Sequence, residues 1–155
     1  MRALSRSTMA SPAEAMLPLR FRWHLWVAAR LLPFRTKRQS IETLLVEATP
    51  RAGFTPYRGI APEAIVEAVR RTLANPWRMR GRRCLREGLI AFRFLRLAGH
   101  PAVLHFAVAS PSPADRMRAH CWVTLDGRCL LDRPRDDMIP LLWWDGEARF
   151  ADRHG

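Results

Sequence analysis

Long apolar runs are missing from this sequence. A membrane span needs about 20 consecutive apolar residues, whereas the most apolar N-terminal stretch, Trp23 to Ala29, is bounded by Arg22 and Arg30. A transmembrane helix is therefore excluded. A small-residue cleavage pattern is missing too, because Leu31, Leu32 and Pro33 lead directly into Arg35, Lys37 and Arg38, so no secretory signal is expected. Cysteine is scarce. Cys84, Cys121 and Cys129 are an odd number with no CxxC or other zinc spacing, which argues against a disulfide framework and a zinc site and for thiols that are either packed or reactive in a reducing compartment. The expected location is the cytoplasm, with no metal and no cofactor implied. Internal repeats are absent, and lysine nearly so, with Lys37 as its one example.

What is present is an ordinary globular composition, 155 residues with 48% hydrophobic and 26% charged, enough for one compact unit with a core. The formal charge of +12 is almost entirely arginine and is regional. Residues 1–40 carry +7, residues 51–100 carry +8 and residues 111–155 carry −1. A basic surface of this kind suits nucleic acid, an anionic membrane or an acidic peptide. The slightly acidic C-terminal part and the lack of a zinc-finger, RNP or helix-turn-helix signature leave nucleic-acid binding as a minor alternative, and no specific nucleic-acid partner is expected.

Residues 1–15 mix Ser, Ala and Pro without an apolar period and read as a flexible N-terminal segment. From Leu17 to Leu32 the pattern predicts a helix, with Pro18 near its start and Pro33 as its stop. Its arginines alternate with Trp23, Leu25, Trp26 and Val27, which fits an amphipathic helix packed on the domain, or a docking surface for a partner or anionic lipid. A second helix is predicted over Ile41 to Ala48. Thr49 to Ala61, with two prolines and two glycines, should be irregular. Pro62 then opens a helix striped by Ile65, Val66, Val69 and Leu73 and ending near Ala74. After a turn at Asn75 and Pro76 and the run RMRGRR, Cys84 opens a further helix through Leu97, with Gly99 as its terminator. Ala102 to Ala109 reads as a buried strand, SPSPAD as a loop, and AHCWVTLDGRCLLD as a hairpin turning at Asp126 and Gly127.

A cysteine at a helix start lies near the positive end of the helix, and Arg80, Arg82, Arg83 and Arg86 further favour its thiolate. Cys84 is therefore the candidate nucleophile, against the competing reading of a packed core cysteine. A thiolate mechanism needs a base and a group to orient it. Among five histidines, His154 lies in the tail, His24 on the first helix, His100 in a turn and His105 in the first strand, which leaves His120 at the start of the hairpin as the candidate base. Asp132, twelve residues on, is the candidate orienting carboxylate. A two-residue loop would put His120 and Asp132 on opposite sheet faces unless a bulge intervenes. A three-residue loop of Leu125, Asp126 and Gly127, with Gly127 at positive φ, would set Thr124 opposite Arg128 and His120 opposite Asp132. It would also gather Cys121, Val123, Leu125, Cys129 and Leu131 on one apolar face, making Cys121 and Cys129 core residues.

The helix-opening RCL, the GHPA turn into a strand, then AHCWV, the DG turn and LLD resemble the small transglutaminase-like cysteine peptidases of lasso-peptide biosynthesis. These form the leader-peptidase half of the split B protein. The resemblance covers about residues 80–133 with specific motifs, and the helical half more loosely. It implies Cys84 as nucleophile, His120 as base and Asp132 as orienting group, in a cysteine endopeptidase that removes the leader from a ribosomally made precursor. It implies three partners: the precursor peptide, a small leader-recognition protein and a macrolactam-forming cyclase. Arg86, Glu87 and Gly88 depart from the more apolar and stiffer first turn expected of such a helix, a change that could alter the substrate groove. An amide transferase or amidase using the same three residues is the alternative enzyme. The expected fold is α+β, a helical N-terminal half followed by a papain/transglutaminase-like core whose nucleophile helix packs on a small antiparallel sheet. A single domain is expected over residues 16–155, helical over about 16–75 and catalytic over about 76–145, and the basic first helix is a candidate peripheral contact for membrane or partners.

Overall fold

The computed structural model describes residues 17–74, 83–109, 119–132 and 138–150. The expectations for residues 1–15, for Asn75, Pro76 and RMRGRR up to Arg82, for SPSPAD and for His154 lie outside the described residues. Four helices precede the strands: α1 (Leu19–Arg38), α2 (Ile41–Ala48), α3 (Pro62–Leu73) and α4 (Arg83–Leu97). Five strands follow: β1 (Val103–Ala109), β2 (Ala119–Leu125), β3 (Arg128–Leu131), β4 (Met138–Trp144) and β5 (Ala148–Phe150). They form one antiparallel sheet in the order β3-β2-β1-β4-β5.

Each helix starts where the local chemistry allows. The Pro18 carbonyl accepts the N–H groups of Phe21 and Arg22 at 2.9 and 3.1 Å, the Ser40 hydroxyl caps α2 by accepting the Thr43 N–H at 3.2 Å, and Pro62 occupies the first turn of α3, where no amide is missed. Gly99, at φ +86, ends α4 in the left-handed conformation, and the N–H of His100 reaches back to the Leu95 carbonyl at 3.0 Å.

The expected stop at Pro33 is corrected: α1 runs through it to Arg38. A proline removes one backbone hydrogen bond and costs about 3 kcal/mol in a helix interior, so the last turn must be held from outside. Thr36 is buried and accepts the Arg86 Nε at 3.2 Å. Arg35 pairs with Glu47 of α2 at 3.1 Å.

The centre of the molecule is α4, buried from Leu85 to Ala98 apart from half-buried Arg93 and Arg96. A helix buried on nearly all sides needs packing partners all round. Here α1, α2 and α3 cover one side and β1 and β2 the other. Phe21, Ile65, Val69, Phe92, Phe94 and Leu95 are fully enclosed, and Phe21 meets both Tyr57 and Phe94 edge to face, with ring centroids 5.1 and 5.3 Å apart.

The hairpin departs from the expected register. Its loop has two residues, since Leu125 pairs with Arg128 and Thr124 with Cys129. Both loop residues have positive φ, 49° at Asp126 and 76° at Gly127, the geometry whose twist matches that of two antiparallel strands. A bulge then intervenes, for the next pair is Val123 with Leu131 and Leu130 is left as the extra residue. Thr124 thus faces Cys129 and not Arg128. Continuing the pairing would set Asp132 opposite Trp122, two pairs away from His120 but on the same face. Gly127 has the positive φ expected of it. Cys121, Val123, Leu125 and Leu131 are buried as expected, but Cys129 is only half-buried, because the two-residue loop places it on the Thr124 side and the bulge restores the expected facing only from Leu131 onward. β4 and β5, which the sequence analysis did not identify, extend the sheet beyond β1.

Candidate active site

Cys84 is the second residue of α4, whose start lies against β2. Its sulfur lies 3.8 Å from the Ala119 carbonyl oxygen. The Cys121 side chain faces α4 from the sheet, its Sγ near the helix at Gly88, and its thiol favours the Cys84 thiolate. This is the largest influence on Cys84, whose pKa falls to about 6 despite the opposing effect of burial. The backbone N–H groups of Cys121 and Leu85 and the charge of His120 add to the same effect. Cys121 moves the opposite way. Its thiol is held far above the ordinary range by Cys84, then by burial and by the neighbouring negative groups.

The close approach of α4 to β2 depends on Gly88, one turn beyond Cys84. A Cβ there would meet the Leu104 Cδ1 at 3.0 Å and the Cys121 Sγ at 3.1 Å, distances tighter than ordinary packing allows. The departure at residues 86–88 thus has a structural purpose. Arg86 is buried against α1 through Thr36, and Gly88 gives Cys121 its space. Glu87, also buried, has its carboxyl pushed up by desolvation, countered by Arg83 at 3.8 Å.

His120 sits at the beginning of β2 on the same face as Trp122, opposite the face on which Cys121 meets α4. Its ring stacks on Trp122 with centroids 6.1 Å apart, and Trp122 in turn stacks on His105 at 5.1 Å with an interplanar angle of 6°. His105 is fixed by a 2.7 Å hydrogen bond between its Nε2 and the Thr124 hydroxyl. The His120 Nε2 is buried without a hydrogen-bond partner among the described residues. Buried polar atoms are nearly always paired, so this ring nitrogen is left open to take or give a proton, and the charge of His120 acts on the Cys84 thiol through space.

Asp132 follows β3 in the left-handed region, at φ 50°. Its carboxylate lines a cleft with Glu67, Arg70, Arg83 and Glu87, between the end of α3 and the start of α4, and its charge acts on Glu87 and Cys121. No hydrogen bond joins it to His120 among the described residues. The structure therefore brings Cys84 and His120 within electrostatic reach and sets Asp132 on the flank of the same helix start.

Sequence reasoning attributed the reactive thiol to the helix start and, further, to Arg80, Arg82, Arg83 and Arg86. Arg80 and Arg82 lie outside the described residues. Of the other two, Arg83 turns to Glu87 and Arg86 to Thr36. The residue that reasoning missed is Cys121, assigned to an inert core. The alternation in HCW carried the signal, since it turns Cys121 toward whatever covers the sheet while His120 and Trp122 share the other face.

Among the described residues, no group of three or more His, Cys, Asp or Glu side chains is placed to hold a metal ion, and no helix is long and apolar enough to cross a membrane. Neither a curated protein nor a solved structure matches the chain. A family model described as transglutaminase-like superfamily matches residues 15–141, which spans α1 to most of β4 and includes the helix-start cysteine and the strand that meets it. The helical half, the cysteine-opened α4 and most of the antiparallel sheet behind it thus fall within the matched span of an α+β fold, and the chain belongs to the transglutaminase-like superfamily.

Proposed function

We propose that this chain is a cysteine endopeptidase that removes the leader from a lasso-peptide precursor, working with a small leader-recognition protein and a macrolactam-forming cyclase. The observation that carries the reading is the Cys84 thiol, drawn down to about pKa 6 at the start of α4 within electrostatic reach of His120, whose Nε2 has no hydrogen-bond partner among the described residues. The superfamily includes cysteine peptidases, and the RCL, GHPA, AHCWV and LLD motifs narrow the reading to leader removal.

In the proposed reaction the Cys84 thiolate attacks the scissile carbonyl carbon, forming the S–C bond while backbone amides at the start of α4 hold the developing oxyanion. The C–N bond then breaks, and His120 delivers a proton to the departing amine. Water enters, gives its proton to His120 and attacks the thioester, releasing the leader carboxylate and restoring the thiolate. Asp132 stabilises the charged imidazole electrostatically from the flank of the site.

The test is to incubate the chain with the precursor encoded by neighbouring genes and with the recognition protein, and to follow the peptide by mass spectrometry. Wild type is expected to release the leader with a free carboxylate, and Cys84→Ala to leave the precursor intact. Wild-type-like release by Cys84→Ala would remove the assignment. A leader joined to an added primary amine would turn the reading to amide transfer.

A further inference from the structure

α1 is 20 residues long, or about 30 Å at 1.5 Å per residue. It buries Phe21, Leu25, Ala29 and Thr36. The opposite side is not the polar surface that such an amphipathic helix would ordinarily expose. Leu19 is 79% exposed, Trp23 64%, Trp26 41% and Phe34 69%. Their spacing of four, three and eight residues keeps them on one stripe along the helix, with Leu31 on its flank, 47% exposed. Half of the ten large exposed hydrophobic side chains among the described residues thus belong to this one helix, which makes them a patch and not a scatter.

The rings are organised. Trp23 and Trp26 stack with centroids 5.2 Å apart, and the Arg30 guanidinium lies over the Trp26 ring at 4.7 Å. α1 carries Arg20, Arg22, Arg30, Arg35, Lys37 and Arg38 and no acidic residue. Arg20 is engaged with the Pro56 carbonyl and Arg35 with Glu47. Arg22, Arg30, Lys37 and Arg38 have no acidic partner among the described residues.

We propose that this face of α1 docks on an anionic phospholipid bilayer. Indole and phenyl rings gain by entering the boundary between headgroups and acyl chains, and arginines beside them reach the phosphates. The charge complementarity is one-sided, with cations along the whole helix and no carboxylate to repel the lipid. The shape also favours a fluid surface. The rings of the exposed stripe project outward, and a recess lined by Leu31, His24, Leu32, Leu44 and Arg93 borders the stripe at Leu31 without enclosing Trp23, Trp26 or Phe34. A folded or peptidic partner would need pockets into which the rings could insert from its own side, whereas lipid rearranges around them. The inference does not depend on the peptidase reading.

The test uses the full chain and vesicles of phosphatidylcholine alone or with 30 mol% phosphatidylglycerol, by co-sedimentation and by tryptophan quenching with brominated lipid. The wild type is expected to bind the anionic vesicles at least about tenfold more strongly than the neutral ones, with added salt weakening binding and brominated lipid quenching fluorescence. Trp23→Ala with Trp26→Ala, and separately Arg22→Glu with Arg30→Glu, should each lower partitioning about tenfold or more. All four side chains lie outside the core, so melting temperatures should stay near that of the wild type. Equal affinity for both vesicles, absence of quenching, or wild-type partitioning by either double variant would overturn the proposal. So would binding of a labelled poly-glutamate peptide that both double variants abolish, with no vesicle binding by the wild type. That result would assign the face to an acidic protein.

Discussion

Substituting Gly88 by alanine sets two known effects against each other at one atom. In a helix interior alanine is favoured over glycine by about 1 kcal/mol, so at an exposed site Gly88→Ala would raise stability. Here the added Cβ would lie 3.0 Å from the Leu104 Cδ1 and 3.1 Å from the Cys121 Sγ, inside the roughly 3.5 to 4.0 Å of comfortable contact. Leu104 is fully buried and Cys121 nearly so, so relief requires their side chains or the helix to shift by about half an ångström or more, and overpacking of that kind costs about 1–3 kcal/mol. The net expectation is a loss of about 0–2 kcal/mol, or up to about 8 °C in Tm at this chain length. Cys121→Ala alone should cost about 1–2 kcal/mol through lost packing. Combined, the two changes fit one another, since the new methyl enters the space the sulfur leaves. The double variant should therefore be more stable than the sum of the singles by about 1 kcal/mol. Urea unfolding of the four proteins measures this coupling directly. If Gly88→Ala stabilises by the full helix-propensity gain and the two changes are additive, the contact between α4 and β2 is looser than described and the account of the Cys84 pKa fails with it.

Alkylation of Cys84 by iodoacetamide should rise with pH around 6, and in Cys121→Ala the rise should move to higher pH, because the thiol that favours the thiolate is gone; superimposable profiles would refute the role given to Cys121. A thiolate favoured by folding contributes stability fully above the ordinary thiol pKa near 9 and loses it as pH falls toward 6. Cys84→Ala should therefore flatten that part of the stability profile, as pH-dependent melting will show. Trp122→Ala should cost about 3–5 kcal/mol by chemical denaturation, whereas Trp122→Phe keeps a ring between His105 and His120 and should retain most of the stability. Thr36→Val leaves the buried Arg86 Nε without its hydroxyl acceptor and should cost about 1–3 kcal/mol; a variant melting like wild type would show that Arg86 finds another partner.

Much of this architecture could be read from the sequence because local chemistry and tertiary structure agree. α2 matches its predicted span, α3 its predicted start and α4 its predicted end, where Ser40, Pro62 and Gly99 serve as caps and stops. The reading went wrong where a distant residue decides the outcome. Pro33 does not stop α1, because Arg86, fifty residues away, grips the turn beyond it. The hairpin register went wrong because a bulge at Leu130 has no strong local signature, and the apolar alternation used to choose the loop is also satisfied by two residues plus a bulge. β4, MIPLLWW, contains a proline within an apolar run and does not alternate, so its pairing with β1 becomes evident only in three dimensions. For the candidate site, the placement of Cys84 at a helix start and of His120 at a strand start was legible. The influence of Cys121 was not, because it depends on a glycine and a cysteine that are 33 positions apart.

The extra residue at Leu130 makes the hairpin a device with phase. Every residue added to or removed from the turn inverts the facing of all that follows on β3, and so does every residue added to or removed at the bulge. The two sites are therefore interchangeable in sum. A relative with a three-residue turn and no bulge presents its last strand residues just as this chain does with two residues and a bulge, and an alignment of the two would show an insertion at one place and a gap three or four positions later. Single length changes here should be disruptive and paired ones tolerated. The distance from His120 to Asp132 along the chain, twelve residues in this sequence, can then stay constant across relatives even as the turn between them changes its form.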